Sequence, residues 1–505
     1  MRRAKQLLLH TSAMTATSLL MRTIALVFQV YVAGRIGAAG IGLFQLVMSV
    51  YTLATTVAVS GVRLAATRLI AQQTGRGDDA AIRRATGCAM GYAAFLLYYL
   101  APAAAAWVGD DRIILSLRVL AFALPFVAAS GAMGGYFIAM HQSVKMSLVQ
   151  LSEQFIRIGC TVLALLRLGG YGLEYACGAL TLGMLASEVF SFLALLLLLL
   201  ASLPRRKGRC RTPMLPSLLR ITVPLSLSSY ARSALSTAQH LLVPRGLRLF
   251  GGGAQAALAA YGVIQGMSLP ILLFPAALIA VIADLIVPEL TEAQVQGRLR
   301  GLGYMLERLY RLGLFFSMAV AGACFFFAHP LGELIYSEPA AGQDIRLLAP
   351  LVPIMYMDTL VDGMLKGVGE YRANMRYNII DAATGLLLVW LLLPRYGVAG
   401  YLFSISATEL LNFALSAARL TRVTVFRLQP LCWLLTAAAA VGGWWLLRLI
   451  FGRLLSRTGQ PLILLLLVFL YLVCYGAALL LCGALRRDEL SWLFSLLRGE
   501  KSPKT

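Results

Sequence analysis

The sequence predicts an all-α polytopic membrane protein of fourteen transmembrane helices, arranged as two pseudo-symmetric six-helix lobes plus two extra C-terminal helices. Three observations lead there. Of the 505 residues, 59% are hydrophobic and only 13% are charged, with a mean hydropathy of +0.79. A soluble domain carries about 25% charged residues, so this balance excludes an ordinary soluble protein. Apolar runs of about 20 residues, the length that crosses a bilayer as helix, recur along the whole chain. Polar residues set inside those runs recur between its first and second halves.

Breaks at Gly, Pro and charge clusters divide the runs into candidate spans at 9–34, 41–67, 86–108, 114–140, 147–167, 174–201 and 217–243. They continue at 256–287, 308–328, 346–367, 374–393, 398–418, 429–451 and 460–483. The N-terminal stretch MRRAKQLLLHTSAM is basic and runs into the first span without a small-residue cleavage site, so it reads as an uncleaved first helix. An even number of spans puts both termini on one side. With that side cytoplasmic, the inner segments and adjoining helix ends hold 29 of the 44 Lys and Arg, and the outer ones hold 11. This asymmetry places both termini in the cytoplasm and accounts for the net charge of +22 without nucleic acid. The densest basic cluster, RRKGRCR (Arg205–Arg211), also suits anionic membrane lipids. The eight cysteines lack CxxC spacing and read as small core residues, with no disulfide framework or metal site indicated.

A shift of 210 residues aligns Ser18 with Ser228, Arg22 with Arg232, Arg35 with Arg245, Gln45 with Gln255 and Tyr51 with Tyr261. Further on, ASEVFSF (Ala186–Phe192) matches ATELLNF (Ala407–Phe413), and each is preceded by a Tyr-Gly pair. A six-helix repeat unit keeps both copies in the same membrane orientation, the parallel type of transporter repeat. The expected organisation is an N-lobe over 1–202, a basic cytoplasmic linker over 203–216 and a C-lobe over 217–420. Helices 13 and 14 follow over 421–485, then a cytoplasmic tail over 486–505. Two such lobes would enclose a central cleft and work by alternating access.

Charges inside spans are costly, roughly 2.5–3.5 kcal/mol each at mid-membrane, so each needs a partner or a wet cavity. Arg22 and Arg232 are mid-span and matched by the repeat; they either pair with a lobe carboxylate or offer a planar fork of donors to a phosphate. Arg63, nearer a helix end, either snorkels or joins them. Glu153 and Arg157 stand one helical turn apart and either neutralise each other or line the cavity. Glu188 and Glu409 occupy equivalent positions and point to hydrogen bonds inside a lobe. Asp358 and Asp362 share a helix face with Lys366, a ladder that self-neutralises or couples to an ion. His240 and Asp284 complete the ion-coupling or gating candidates; a lone interior His is more often a satisfied polar group than a proton carrier.

Several segments resemble the stage V sporulation protein B group of oligosaccharide and lipid-precursor flippases, in the multidrug/oligosaccharidyl-lipid/polysaccharide superfamily. They include VAGRIGAAGIGLFQLVMSVY (Val32–Tyr51), SGVRLAATRLIAQQ (Ser60–Gln73), GGYFIAMHQ (Gly134–Gln142), SEQFIRI (Ser152–Ile158), HLLVPRGL (His240–Leu247), YGVIQGMSLPILLFPAAL (Tyr261–Leu278) and VPELTEA (Val287–Ala293). Their order along nearly the whole chain carries the resemblance. It implies a two-lobed flippase for a polyprenyl-pyrophosphate-linked saccharide, such as lipid II, with helices 13 and 14 holding a groove for the lipid tail. The pattern often has an acid before VPR, where this chain has Gln239 and His240, which puts a coupling-ion role for helix seven in doubt.

A drug/cation antiporter shares that fold but pairs twelve helices with an acid-dominated site. A membrane glycosyltransferase or ligase would need a carboxylate-rich site or a sizeable catalytic loop, and neither is present in the sequence. The reading is therefore a transporter rather than an enzyme, without a cofactor, coupled to Na+, H+ or the membrane potential, and working as a monomer.

Overall fold

Glycine and proline set the boundaries of the helices. The computed structural model describes residues 2–59, 111–140, 142–202, 214–251, 253–297, 299–426, 429–455 and 459–483. Helix α1 (Arg2–Val59) holds the first predicted span and much of the second, and breaks between them at Gly37 (φ 69°, ψ 178°). Only a residue without a Cβ takes that backbone at little cost. Next come α2 (Asp111–Ala139), α3 (Ser143–Leu168), α4 (Leu173–Ser202) and α5 (Met214–Leu249). A further helix, α6 (Ala254–Val263), passes through a π turn (Ile264–Ser268) into α7 (Leu269–Leu273). The order continues with α8 (Ala276–Val295), α9 (Leu299–Phe326), α10 (Ala328–Tyr336), α11 (Pro339–Leu348) and α12 (Val352–Gly367). Last are α13 (Tyr371–Val423), α14 (Pro430–Leu455) and α15 (Pro461–Leu481).

Ten helical segments among the described residues are long and apolar enough to cross a membrane, and no strand occurs among those residues. The chain is an all-α, multi-pass membrane protein. Thirteen of the fourteen predicted spans coincide wholly or partly with helix, and 86–108 lies outside the described residues. The structure departs from the prediction in several places, of which three shape the packing described below. The predicted continuous helix 256–287 is interrupted, because Pro270 and Pro275 lack the N–H that a regular ladder needs; the chain passes through the π turn and then bends at Phe274–Pro275. The predicted loop 329–345 is instead the short helices α10 and α11, which pack backbone to backbone at Gly332 and Gly342. Helix α5 runs six residues past the predicted end at 243. The Tyr-Gly pairs noted in the sequence are turns: Gly172 (φ 129°) precedes α4, and Gly397 (φ 55°) divides α13.

Two compact units form: Met1–Gly266 with Asn378–Ser404, and Met267–Tyr377 with Ile405–Thr505. In the first, α2 and α3 pack on α4, and α1 packs on α2, α5 and α6. Lipid is as apolar as leucine, so close van der Waals fit and small residues hold such helices together. Between α1 and α6 the fit is extreme. A Cβ on Gly42 would fall on the Leu258 carbonyl oxygen, one on Gly262 on the Ala38 carbonyl oxygen, and one on Gly266 on the Ile41 side chain. A similar contact sets Gly183 of α4 against Thr161 of α3.

In the second unit α8 packs on α12, where Gly363 meets Ala283 and Gly367 meets Leu290. Helices α14 and α15 pack on each other and on α9. Phe326 stacks on Trp444 (centroids 4.4 Å apart), Trp433 Nε1 donates to Tyr310 Oη (3.0 Å) and Tyr475 Oη donates to the Phe315 carbonyl (3.0 Å). Aromatic stacking adds about 0.5–1.5 kcal/mol to such a contact beyond its area.

The glycine contact yields the first prediction. Gly42→Ala or Gly262→Ala should push α1 and α6 apart, costing roughly 1–3 kcal/mol or preventing folding. Gly34→Ala, with nothing within 4 Å of the added Cβ, should melt like the wild type. Thermal unfolding of the detergent-purified proteins checks this; equal melting of all three variants would show that the helices tolerate separation.

Candidate functional site

Within the first unit, α1, α5 and the α6–π segment surround a polar cavity of about 230 Å³. From α1 come Gln45, Met48, Ser49, Thr52 and Thr56. Their spacing of three and four puts them on one face of an apolar helix. From α5 come Arg232, Ser233, Ser236, Thr237 and His240, and from the α6–π segment Tyr261 and Gln265. Hydrogen bonds tie α5 to α1: Tyr230 Oη donates to the Val57 carbonyl (3.1 Å), Thr237 Oγ1 to the Ser49 carbonyl (3.0 Å) and Ser233 Oγ to Thr56 Oγ1 (3.3 Å). Ser49, Thr52 and Thr56 donate to the carbonyls of Leu46, Met48 and Thr52 on their own helix. Most hydroxyl protons of the wall are therefore committed, which leaves these oxygens mainly acceptor capacity.

The π turn is fixed by two glutamines. Gln29 Nε2 donates to the Gly266 carbonyl (2.7 Å), an acceptor that the irregular turn takes out of the regular ladder. Gln265 Nε2 donates to Tyr401 Oη (2.5 Å). His240 Nδ1 and Tyr261 Oη share a hydrogen bond of 3.1 Å across the wall. Its neighbour Gln239 packs instead on Gly385 of α13.

Arg232 is exposed to this cavity and is the only Asp, Glu, Lys or Arg among its described lining residues. Neither Arg232 nor Arg22 forms an ion pair among the described residues. Arg22 is exposed on the first part of α1 and does not line the cavity, so the two arginines matched by the repeat are not brought together there. Arg63 lies outside the described residues. Asp284 is exposed on α8, in the other unit.

The Glu153–Arg157 pair forms, and a third charge joins it. Arg157 Nη2 lies 2.5 Å from Glu153 Oε1 and 3.8 Å from Glu188 Oε1 on α4, while its Nε donates to Ser187 Oγ (3.2 Å). None of these groups lines the cavity. In the second unit Asp358 accepts from Asn412 Nδ2 (2.8 Å) and Asp362 from Ser416 Oγ (3.3 Å), both on α13. Lys366 forms no ion pair with either carboxylate among the described residues, so the expected self-neutralising ladder is replaced by hydrogen bonds across helices. A bidentate pair joins Arg419 and Glu370 at 3.0 Å.

Residues 7–286 match the family model described as polysaccharide biosynthesis protein. The chain belongs to that family. It is 25% identical over 441 residues to stage V sporulation protein B of Bacillus subtilis (strain 168), covering 83% of this chain and 85% of that protein. In fold it resembles the lipid II flippase MurJ in an inward closed conformation (TM-score 0.67, 13% identity, 92% of this chain and 97% of that one). It also resembles a multidrug resistance MATE family transporter in its inward-facing conformation (TM-score 0.59, 16% identity, 80% and 95%). The helical fold of this family member is thus shared with these two transporters.

Sequence reasoning found Arg232 and His240 but missed the α1 wall. The signal was present as a polar stripe at Gln45, Ser49, Thr52 and Thr56 within an apolar run. Isolated hydroxyls in membrane helices bond to their own backbone so often that the stripe gained meaning only once α5 lay opposite it.

The three-charge cluster generates the second prediction. If Glu153 and Arg157 met only each other, exchanging them (Glu153→Arg with Arg157→Glu) would restore stability. With Glu188 and Ser187 fixed beside position 157, the exchange sets a carboxylate against Glu188. The double variant should therefore remain as poorly expressed and as easily melted as the single variants, in a membrane-fraction immunoblot and a thermal melt. Wild-type stability of the exchanged protein would reduce the cluster to a simple pair.

Proposed function

We propose that this protein flips a polyprenyl-pyrophosphate-linked saccharide, lipid II or a related cell-wall or spore-cortex precursor, across the bacterial cytoplasmic membrane. Arg232 carries the reading, as the only Asp, Glu, Lys or Arg among the described residues that line a polar cavity inside a membrane-spanning unit. A guanidinium presents paired N–H donors matched to phosphate oxygens. At about 4 Å in surroundings of intermediate dielectric, a phosphate charge gains roughly 4 kcal/mol from such a cation. The lone pairs of the hydroxyl walls suit the O–H and N–H donors of a saccharide. The family description and the names of the relatives support the same substrate class. An organic cation, the cargo of a drug antiporter, would meet repulsion from Arg232 in this cavity.

In this reading the two six-helix halves rock about the loaded cavity, and the isoprenoid tail stays in the lipid, guided by the last two helices. Both termini face the cytoplasm, where the cluster Arg205–Arg211 meets anionic lipid headgroups. The protein works as a monomer, moves its substrate without making or breaking covalent bonds in it, and uses no cofactor.

The test is reconstitution in vesicles with fluorescent lipid II and, separately, an unrelated polyprenyl-pyrophosphate-linked glycan. Flipping of one or both is expected. Arg232→Ala should reduce the rate at least about tenfold, the loss of roughly 1.4 kcal/mol of charge-assisted bonding, with unchanged abundance; Arg232→Lys should recover part of it. Full flipping by Arg232→Ala would remove Arg232 from the substrate site. Transport of organic cations with no flipping of either glycan would replace the flippase reading with the antiporter one.

A further inference from the structure

The Glu153–Arg157–Glu188 cluster holds more negative than positive charge. Two carboxylates share one guanidinium, and all three side chains are largely buried, with 16%, 28% and 15% of their surface exposed for Glu153, Arg157 and Glu188. The sharing is unequal. Arg157 lies in direct contact with Glu153 at 2.5 Å, spends its Nε on Ser187, and stays 3.8 Å from Glu188. Fully ionised, the cluster would leave one uncompensated carboxylate between membrane helices. Such a group binds a cation or takes up a proton, because no low-polarity setting sustains an unpaired charge cheaply.

A second, independent feature stands beside it. Tyr51 of α1 is only 7% exposed, and its hydroxyl has no hydrogen-bond partner among the described residues. Helix α1 packs on both α3 and α4, which brings this hydroxyl within electrostatic reach of Glu188, Arg157 and Glu153. A buried phenol without a partner is rare, since leaving a polar group unsatisfied is costly. Here it supplies an uncommitted donor and acceptor beside the excess carboxylate. On α2, which also packs on α4, the described Arg118 is exposed and Tyr136 Oη donates to the Ser202 carbonyl (3.1 Å).

We propose that Glu188, with Glu153, Arg157 and Tyr51 around it, is a binding site for one proton, separate from the cavity but joined to it through α1. Tyr51 leaves α1 roughly 120° around the helix from the stripe that lines the cavity, at about 100° per residue. One rigid helix therefore touches the proton site on one face and the cavity on another. Proton uptake transfers H+ from water to the Glu188 carboxylate and leaves the cluster neutral; release restores a net charge of −1. That change lies against the helix whose other side holds Ser49, Thr52 and Thr56.

The full chain, purified and reconstituted in phosphatidylcholine vesicles, tests this by infrared difference spectroscopy over a pH titration in potassium buffer. A carbonyl band of a neutral carboxyl should be present at neutral pH and disappear as the pH is raised. Glu188→Gln should abolish it. Glu153→Gln should abolish it too, although Glu188 remains, because Arg157 is then free to hold Glu188 ionised; this variant gives the reading even if Glu188→Gln fails to fold. Tyr51→Phe, which removes only the hydroxyl, should shift the band's frequency. A titrating band that survives unchanged in Glu188→Gln and Glu153→Gln would overturn the proposal. Loss of the band on adding sodium at constant pH would overturn the proton in favour of an alkali cation.

Discussion

The first unit depends on the contact of α1 with α6, where the backbones come so close that no side chain fits at Gly42, Gly262 or Gly266. In a lipid setting, where apolar area alone drives no association, small residues let many weak contacts form at once. The contact also forces the irregularity beside it. Gly266 lies in the π turn, and its carbonyl, no longer served by a regular ladder, is taken by Gln29 of α1. The turn in turn carries Gln265 into the cavity wall and onto Tyr401. Replacing one glycine would therefore disturb helix spacing, the turn and the cavity wall together.

Desolvation sorts the polar residues of the membrane spans into two groups. Asp358, Asp362, Arg157 and Glu188 meet polar partners on neighbouring helices, and Glu153 meets Arg157 on its own. Arg232 meets none as an ion pair and faces open space. A buried charge left without a partner is expensive, so it persists where water or a ligand reaches it. That contrast separates Arg232 from the structural charges more sharply than its position in the sequence does. The cavity hydroxyls follow the same economy, since their protons satisfy backbone carbonyls while their lone pairs stay free for a ligand.

Helix α1 links the two polar features. Its cavity face is anchored to α5 by the bonds from Tyr230, Ser233 and Thr237, and another face carries Tyr51 toward the acidic cluster. The sheer length of α1, divided only at Gly37, makes its second part a rigid element between them. A change of charge on one side of a packed helix is felt on the other because close-packed interiors transmit displacement instead of absorbing it.

The amino-acid sequence by itself determined the class of the protein. Hydropathy and length are properties of single segments, so the membrane-crossing helices, the breaks at Gly37 and Gly397 and the family resemblance were all legible one segment at a time. The Glu153–Arg157 pair was legible too, because residues four apart on a helix must be neighbours. Only the tertiary structure decided which polar residues meet across helices. It separated Arg22 from the cavity that Arg232 lines, gave Asp358 and Asp362 to Asn412 and Ser416 instead of Lys366, added Glu188 and Ser187 to the pair, and raised the α1 hydroxyl stripe to a wall. The physical reason is that a helix's periodicity states which residues share a face, while the helix that face meets depends on glycine contacts and packing between segments more than two hundred residues apart.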